Sequence, residues 1–259
     1  HEHGVAAAWR LGQWDALERH LPDGGAEGGA APFEAALGRT LLAVHRREEQ
    51  AVEAAAVGGR AAMCTRLAAA AMESYDRAHP YLVRLHMLQE VVDGCTLARG
   101  LDALPGEGNS MGGSAPQYEQ AARRVEGQLH WGDRLALTED SLAARFPVLE
   151  LRGSLLHECG RPARAAEAWL EAAKLARKAS RKDVARAALL QVDALRRTAI
   201  VQVGRQAAAI ELEVLAGRST VEGAKLAWSS GRQVEAASML EGWLARSSDA
   251  AHRSLAAAA

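Results

Sequence analysis

Several short residue patterns in this sequence could do chemistry, but each lacks a part that its chemistry needs. The glycine-rich stretch GEGNSMGG, residues 106–113, could cradle a phosphate, yet such loops follow a strand and precede a Lys and a Ser or Thr. His1 and His3 form a terminal His-x-His pair, and the sequence indicates no third metal ligand. The His-Glu-Cys triplet at residues 157–159 lacks the second histidine of a zinc-protease helix. We therefore predict no catalytic residue, no cofactor-binding residue and no metal ligand in this chain.

Protein phosphorylation would need carboxylates that hold Mg²⁺ and a base close to the acceptor hydroxyl. Protein kinases carry these groups in His-Arg-Asp and Asp-Phe-Gly motifs, and the sequence contains neither. The nearest match, at residues 45–47, reads His-Arg-Arg and has no acidic third residue. We therefore expect this chain by itself neither to bind ATP nor to transfer phosphate.

A run of basic side chains surrounds one turn between two expected helices: Arg177, Lys178, Arg181, Lys182 and Arg186. Cations near a helix C-terminus are stabilised by the helix dipole, which makes a solvated basic face the favoured interpretation. The alternative is a contact with an acidic partner or with a nearby acidic helix.

Composition indicates which elements must position these side chains. Of the 259 residues, 49% are apolar but only 4% are aromatic, and alanine, the best helix former, is abundant. The 31 basic and 32 acidic side chains nearly cancel, which argues against a dedicated nucleic-acid surface. The three widely spaced cysteines favour reduced thiols in the cytosol or nucleus, and no apolar run reaches membrane-spanning length. We predict an all-helical chain and expect it to be a piece of a longer protein.

The central element is an expected helix at residues 74–93, SYDRAHPYLVRLHMLQEVVD. At about 100° per residue, its main apolar stripe, with Leu85 and Leu88 at the centre, also contains Tyr81 and Val92. A second apolar stripe lies beside it: Val83, Met87 and Val91. The remaining arc is polar and is predicted to face water: His86, Gln89, Glu90 and Asp93. A helix with this much apolar surface needs neighbours on two sides, as stacked helical repeats provide.

Arg84 lies inside the apolar arc of that helix. A buried guanidinium must be paired or must extend to the surface. We expect Arg84 to reach a carboxylate or several backbone carbonyls on a neighbouring helix.

The rest of the chain is predicted to form helix–turn–helix units. Trp9-x-x-Gly12 and Trp228-x-x-Gly231 share one spacing, in which a large residue ends a helix and a glycine turns the chain. Trp169 is expected, like these two tryptophans, to anchor the packing between repeats. Gly58-Gly59 is predicted to end a helix. Pro80 is expected in the first turn of the central helix, and Pro147 in the first turn of a later one or at a kink.

The predicted fold class is an α-solenoid of degenerate tetratricopeptide- or HEAT-like helical hairpins. It forms one helical-repeat region over residues 1–259. Two segments rich in glycine and poor in apolar residues, about 22–32 and 94–116, are expected to be flexible inserts.

Four stretches, in order, resemble one family. The strongest is PYLVRLHMLQE, residues 80–90, and the others are AAAWRLGQWDALERHL, AWLEAAKLARKASRKDVARAALL and GAKLAWSSGRQVEAASMLEGW. They resemble the FAT domain of the ATR-type kinases, which belong to the phosphatidylinositol 3-kinase-related protein kinases. The resemblance covers nearly the whole chain apart from the two inserts. The Gly-Asp-Arg-His catalytic stretch of that family is absent, so no kinase site is carried over.

The resemblance implies a scaffold within a nuclear protein serine/threonine kinase of DNA-damage and replication-stress checkpoint signalling. It implies ATP with Mg²⁺ or Mn²⁺ as cofactors of the parent kinase and none for this fragment. The implied partners are the chain's own kinase domain, neighbouring helical repeats, a second copy in a homodimer and regulatory proteins. Direct contact with nucleic acid or a membrane is not expected.

Two other hypotheses remain open. A free-standing tetratricopeptide-type adaptor would bind a peptide in a concave groove, and an in-frame kinase domain downstream would distinguish the scaffold from the adaptor. A helical enzyme with an unrecognised site would be detected by metal analysis and activity screening.

Overall fold

The computed structural model describes the backbone of residues 2–22, 33–104, 115–203 and 209–258, and the side chains of residues 3–22, 33–104, 117–200 and 212–246. Every regular element in these ranges is an α-helix, which confirms the predicted all-α class. The helices are α1 Glu2–Arg10, α2 Trp14–His20, α3 Phe33–His45, α4 Glu49–Ala71, α5 Tyr75–Asp102, α6 Ala115–Gly127, α7 Trp131–Leu137, α8 Leu142–Glu158, α9 Pro162–Lys178, α10 Lys182–Val203, α11 Ala209–Ser229 and α12 Gln233–Ala258.

Most consecutive helices pack against one another, from α1 to α6 and again from α9 to α12, as a solenoid of hairpins requires. The single region predicted over residues 1–259 divides, by its internal contacts, into two compact units, residues 1–161 and 162–259. The first unit contains α1 to α8, and the second contains α9 to α12.

One turn motif recurs at the ends of five helices. The residue after the helix cap has a left-handed φ: Gly12, Arg47, Gly160, Ser180 and Gly231. At each turn this residue donates its N–H to the carbonyl three positions earlier, and the next residue donates to the carbonyl five positions before itself. These paired bonds satisfy the last carbonyls of the helix and reverse the chain. The repeated motif confirms the helix–turn–helix units predicted from Trp9-x-x-Gly12 and Trp228-x-x-Gly231.

The core of the first unit surrounds α3, whose side chains are buried along most of its length. Helices α1, α4 and α5 pack on α3, and α8 packs on α5. The largest fully buried side chains of this core are Trp9, Leu17, Leu37, Leu41, Met63, Leu88, Leu97, Leu151 and Leu155. Alanine and glycine between them allow the helices to approach closely.

The prediction that Gly58-Gly59 ends a helix is wrong, because α4 continues through both residues. A Cβ added at Gly59 would lie 3.0 Å from the Cβ of Ala36 and 3.1 Å from Cδ1 of Leu88. This glycine therefore marks a close approach of both α3 and α5 to α4. Gly58, which has no such neighbour within 4 Å, occupies the open side of the same turn.

The predicted insert at residues 94–116 is also wrong at its beginning, because α5 runs on to Asp102. Gly94 lies against α8, where an added Cβ would be 2.9 Å from Cδ2 of Leu155. Leu97 and Leu101 are buried beyond it. Their burial stabilises a helix that the glycines alone would weaken. Residues 105–114, and residues 23–32 of the other predicted insert, lie outside the described residues.

The two prolines lie deeper in their helices than expected. Ser74 caps the N-terminus of α5 by accepting a hydrogen bond from the N–H of Arg77, so Pro80 falls in the second turn. Ser141 caps α8 in the same way, and Pro147 again lies in the second turn. The first-turn position predicted for Pro80 is therefore wrong, because the serine cap starts the helix earlier than the proline alone suggested.

In the second unit, α9 and α10 form a hairpin, α11 packs on both of them, and α12 packs back on α11. The central side chains of this unit are small, with Ala165, Ala172 and Ala176 of α9 fully buried. Leu170 and Leu215 fill the remaining space. Short side chains let these helices pack closely.

Candidate functional site

The polar strip of α5 that was predicted to face water is buried, and it forms the centre of a network of polar side chains. The Glu90 side chain has no exposed surface, and the side chains of His86 and Asp93 are each only 13% exposed. Helices α7 and α8 cover the strip with their own polar groups. The wet-face prediction is therefore wrong, because these two helices supply a polar layer that the sequence of α5 cannot reveal.

Glu90 forms a two-pronged ion pair with Arg152 of α8. The Arg152 Nε donates to Oε2 of Glu90 at 3.0 Å, and Nη2 donates to Oε1 at 2.7 Å. The same Nη2 also donates to the backbone oxygen of Trp131 at 3.0 Å. The guanidinium lies 5.1 Å from the centroid of the Trp131 ring. Arg152 thus joins α5, α7 and α8 at one point, with geometry that a lysine could not reproduce.

His86 continues the network toward the segment after α7. Its Nε2 lies 3.0 Å from Oε1 of Glu90, and its Nδ1 lies 3.3 Å from Oγ1 of Thr138. Thr138 also donates to the backbone oxygen of Arg134, at 3.1 Å. This chain of contacts holds the end of α7 against the middle of α5.

Asp93 fixes the beginning of α7. Its carboxylate accepts hydrogen bonds from the indole Nε1 of Trp131 at 3.1 Å and from Nε2 of Gln89 at 2.8 Å. Arg134 forms an ion pair with the same carboxylate. Arg60 of α4 donates to Oε1 of Gln89 at 2.9 Å, which extends the network to a fourth helix.

The electrostatics keep Glu90 ionised. Burial alone would raise its pKa, but the hydrogen bonds and positive charges of His86 and Arg152 outweigh burial and hold the pKa below its usual range. A carboxylate whose oxygens are all engaged is a poor general acid and leaves no oxygen for a metal ion. The network is therefore suited to fixing helices relative to one another.

A second ion cluster joins α6 to the turn between α8 and α9. Arg161 is buried and donates to Glu119 at 2.6 and 2.7 Å and to Glu126 at 2.8 Å. Burial works against the charge, but the two carboxylates together raise the pKa of Arg161. Through these ion pairs, the two carboxylates hold α6, whose own sequence is strongly polar, against the turn between α8 and α9.

Within the described residues, Arg84 forms neither the ion pair nor the bonds to backbone carbonyls that were predicted as alternatives for it. Its guanidinium lies 5.4 Å from the centroids of two aromatic rings, Phe33 of α3 and Tyr81 of α5. The electron-rich faces of these rings stabilise the cation without a carboxylate. A buried arginine that pairs with a carboxylate of α5 is Arg152, on α8, which also packs against α5.

The structure places the remaining predicted packing residues in different environments. Trp9, Leu88 and Trp169 are buried, as expected of anchors, and Leu85 packs partly buried on the core. Gly12 and Gly231 have the left-handed φ values that their turns need, 64° and 79°. Trp228 is 59% exposed, so its predicted role as a packing anchor is wrong within the described residues. It lies on the side of α11 that no described helix covers.

The basic run in the second unit is only partly solvated. Arg177 forms an ion pair with Glu222 of α11, which is buried. Lys182 donates to the backbone oxygen of Ser229 at 2.6 Å. Lys178 and Arg186 are exposed, in agreement with the favoured interpretation. Arg177 instead follows the alternative, a contact with a nearby acidic residue.

Two of the three cysteines are unsuited to nucleophilic chemistry, and the described residues give no support for a metal site. Burial raises the pKa of the Cys159 thiol to about 12, and it raises the pKa of Cys95 as well, so neither is a ready nucleophile at neutral pH. The side chains in the described ranges include no group of three His, Cys, Asp or Glu placed to hold a metal ion. None of the described helices is long and apolar enough to span a membrane.

Sequence reasoning missed Glu90, Arg152, Asp93 and α7. One signal was present: Arg152 lies in LELRGSLL, where a lone arginine within an apolar helix needs a partner. A second signal was the i, i+4 spacing of two polar pairs on α5. His86 contacts Glu90, and Gln89 donates to Asp93, at that spacing. Trp131 begins α7 directly after His130, whose φ is 51°.

Comparison with known proteins connects this helical stack to one family. A family model described as the FAT domain matches residues 1–257. The serine/threonine-protein kinase ATR of Arabidopsis thaliana is 32% identical over 198 residues, which cover 74% of this chain and 7% of that protein. ATR of Oryza sativa subsp. indica is 32% identical over 199 residues, with the same two coverages.

A second kind of relative is more distant. The serine/threonine-protein kinase TOR of Arabidopsis thaliana is 27% identical over 202 residues, which cover 72% of this chain and 7% of that protein. The chain therefore spans a small part of the length of the curated relatives it matches. No solved structure matches the chain.

Proposed function

Because the chain belongs to the FAT domain family, we propose that it is a helical scaffold segment of an ATR-type protein serine/threonine kinase. In this role it supports the kinase domain and presents protein contacts, and it carries out no phosphoryl transfer itself. The higher identity to the two ATR kinases, 32%, than to TOR, 27%, favours the ATR type.

The observation that carries this proposal is the buried network around Glu90. Its charged side chains are bonded to one another across α5, α7 and α8, and this arrangement fixes the relative positions of the three helices. A scaffold needs such fixed positions, because a change at one end of a stack reaches the other only through helices that keep their packing. An active site would instead need a polar group directed at a substrate.

We further propose the setting of the parent protein. It is a nuclear kinase of DNA-damage and replication-stress signalling that uses ATP with Mg²⁺ or Mn²⁺. This segment contacts its own kinase domain, neighbouring helical repeats, a second copy of the protein and regulatory proteins, but neither nucleic acid nor membrane. The near-zero formal charge of -1 favours protein partners over nucleic acid.

The test uses the natural gene product that contains this chain. The product is tagged at its own locus and purified, and its mass and its protein kinase activity with ATP and Mn²⁺ are measured. The scaffold proposal expects a protein much longer than 259 residues that phosphorylates serine or threonine. A product without kinase activity that binds peptides would favour the tetratricopeptide-type adaptor.

A variant connects that activity to the network. Arg152→Met removes the guanidinium that joins three helices, and we expect the kinase activity of the purified product to fall at least about tenfold. Arg99→Met is the matched control, because Arg99 also forms an ion pair between helices, with Glu49, but both side chains are more than 60% exposed. Exposed pairs contribute little, so the control should keep its activity. Equal activity in the two variants would contradict the scaffold role of the network.

A further inference from the structure

The turn between α9 and α10 exposes a serine whose side chain makes no contribution to the fold. Residues 178–183 are all exposed, and Ser180 lies where the chain reverses. The N–H of Ser180 donates to the carbonyl of Arg177 at 3.0 Å. Its hydroxyl has no hydrogen-bond partner among the described residues. The hydroxyl is therefore accessible from outside the protein.

Serine is an unexpected residue at this position of the turn. Ser180 has a φ of 60°, in the left-handed region that glycine adopts without strain. Glycine occupies the matching position of three other turns: Gly12, Gly160 and Gly231. At the remaining turn the side chain is used, because Arg47 lies 4.0 Å from a carboxylate oxygen of Asp102. No such contact offsets the strain at Ser180, which points to a use of its hydroxyl beyond the fold.

The residues around Ser180 have the charge pattern of a kinase substrate. Lys178 lies two positions before the serine. Arg181 and Lys182 follow it directly, and all three basic side chains are exposed. Protein kinases select substrates by complementary charge, so a kinase with carboxylates in its substrate groove favours an acceptor that has basic residues on both sides.

The same segment can open without loss of the core. Ala176 is the last buried residue of α9, and the residues after Arg177 bury no apolar side chain before Ala185 of α10. A kinase must draw its acceptor into an extended conformation, and segments with few buried apolar contacts open at the lowest free-energy cost. The turn is therefore suited to enter the active site of another protein.

We propose that Ser180 is a phosphorylation site for a basic-directed protein serine/threonine kinase, and that Lys182 holds the phosphate. The γ-phosphoryl group of ATP passes to Oγ of Ser180. The bond between phosphorus and the ADP oxygen breaks, a bond between phosphorus and Oγ forms, and the hydroxyl proton goes to the base of the kinase. The inference does not rest on the kinase-scaffold proposal, because the enzyme that acts on Ser180 is a separate protein.

The surrounding ion pairs indicate which cation the phosphate takes. Arg177 is paired with Glu222, whose carboxylate is buried and would be left uncompensated if the arginine moved. Lys182 instead donates to a neutral group, the backbone oxygen of Ser229 at the end of α11, at 2.6 Å. A phosphate carries a charge of about −1.5 to −2 and binds an ammonium more strongly than a carbonyl does. Phosphorylation therefore withdraws Lys182 from α11 and leaves the buried pair intact.

Phosphorylation of the purified chain tests the site. Residues 1–259 are incubated with ATP and the catalytic domain of protein kinase C, a basic-directed kinase, and mass spectrometry follows each serine. Ser180 should be modified at least about tenfold faster than Ser74, the control, which is also in an exposed turn but has no basic residue within two positions. Lys178→Glu should slow modification of Ser180 at least about fivefold without changing the melting temperature, because Lys178 is exposed. Modification of Ser180 no faster than that of Ser74, or an equal rate in Lys178→Glu, would overturn the proposal.

The natural gene product shows whether cells use the site. The product is purified from growing cells treated with a phosphatase inhibitor, and the peptide that contains Ser180 is expected to carry phosphate. Recovery of that peptide only in its unmodified form would overturn the proposal.

Phosphorus NMR of the phosphorylated chain tests the role of Lys182. The second ionisation of phosphoserine ordinarily occurs near about pH 6, and a nearby cation lowers its midpoint. The midpoint should therefore rise in Lys182→Gln, and an unchanged midpoint would overturn the assignment of Lys182. Kinase activity of the gene product plays no part in these readouts, so they are independent of the test of the scaffold.

Discussion

Removing the guanidinium of Arg152 tests most directly how this stack is held together. In Arg152→Met, the carboxylate of Glu90 keeps its contact with His86 at 3.0 Å but loses both hydrogen bonds from Arg152. The other basic group near it, Nη2 of Arg134, is 3.9 Å away and forms an ion pair with Asp93. The substitution therefore leaves a buried charge with only part of its compensation.

The expected loss follows from that burial. Breaking a buried ion pair by removing one partner costs about 3–5 kcal/mol, because the remaining charge stays desolvated. Methionine preserves much of the volume of the arginine stem, so the effect of a cavity is small. Arg152→Met together with Glu90→Leu removes both charges, and we expect the double variant to recover most of the lost free energy of unfolding.

Chemical denaturation of purified residues 1–259 measures these differences, with Arg99→Met as the exposed control. The control should change the free energy of unfolding by no more than about 1 kcal/mol. A double variant as unstable as Arg152→Met would show that packing around the guanidinium, and not charge, determines the loss. An Arg152→Met loss no larger than that of the control would refute the reasoning.

The pH dependence supplies an independent check. The pKa of Glu90 is lowered in the folded protein, so its contribution to stability is present above the unfolded value and is lost as the pH falls through the folded pKa. Arg152→Met removes part of the cause of that shift. The difference in stability between wild type and variant should therefore be largest at neutral pH and shrink below about pH 4. A difference that stays constant from pH 7 to pH 3 would contradict this account.

Two further predictions concern stability and use the same unfolding assay. Gly58→Ala should raise the free energy of unfolding by about 0.5–1 kcal/mol. Gly59→Ala should not show this increase, because its Cβ would lie 3.0 Å from the Cβ of Ala36. Equal changes in the free energy of unfolding for the two variants would contradict the close approach. The pKa of Glu150 is raised, chiefly by burial and despite Arg10, so its contribution to stability is lost as the pH rises through that folded pKa. Glu150→Gln keeps an acceptor for Arg10 and should abolish this loss between about pH 4 and pH 7; an unchanged pH profile would refute the assignment.

The sequence predicted the all-α class and the hairpin turns because both depend on local properties. Alanine content and helical spacing determine where helices form, and a residue with a left-handed φ determines where each hairpin reverses. Gly12, Gly160 and Gly231 supply that conformation at no steric cost, so they are visible in the sequence. Arg47 adopts the same φ and gave no such signal.

Glycines inside helices led to two wrong predictions, and the reason lies in tertiary packing. A glycine weakens a helix by about 1 kcal/mol, and both Gly59 and Gly94 were interpreted as breaks on that basis. In the folded chain each one allows a neighbouring helix to approach, and the burial of Leu88 and Leu155 at these contacts offsets the local cost. In the sequence, a glycine that ends a helix cannot be distinguished from one that allows a neighbouring helix to pack closely, until that neighbouring helix is known.

For the two arginines of the apolar environments, the sequence predicts that a compensating group is needed but not which group it is. The rule that a guanidinium in an apolar environment needs compensation holds for both Arg84 and Arg152, but the compensation differs. Aromatic rings on α3 and α5 stabilise Arg84, whereas a carboxylate on α5 pairs with Arg152. Which solution each arginine takes depends on the helix that faces it, and no local pattern specifies that helix.

The same reasoning explains why the polar strip of α5 was taken for a surface. On one helix, a strip containing Glu90 and Asp93 has the pattern of a solvated face. Opposite charges on two later helices, Arg134 and Arg152, convert it into an interior layer. In a stack, each helix has neighbours on two sides, so a polar strip is a surface only if no neighbour carries the complementary charges. Charge complementarity between successive helices is therefore the sequence signal that distinguishes a buried network from a wet face.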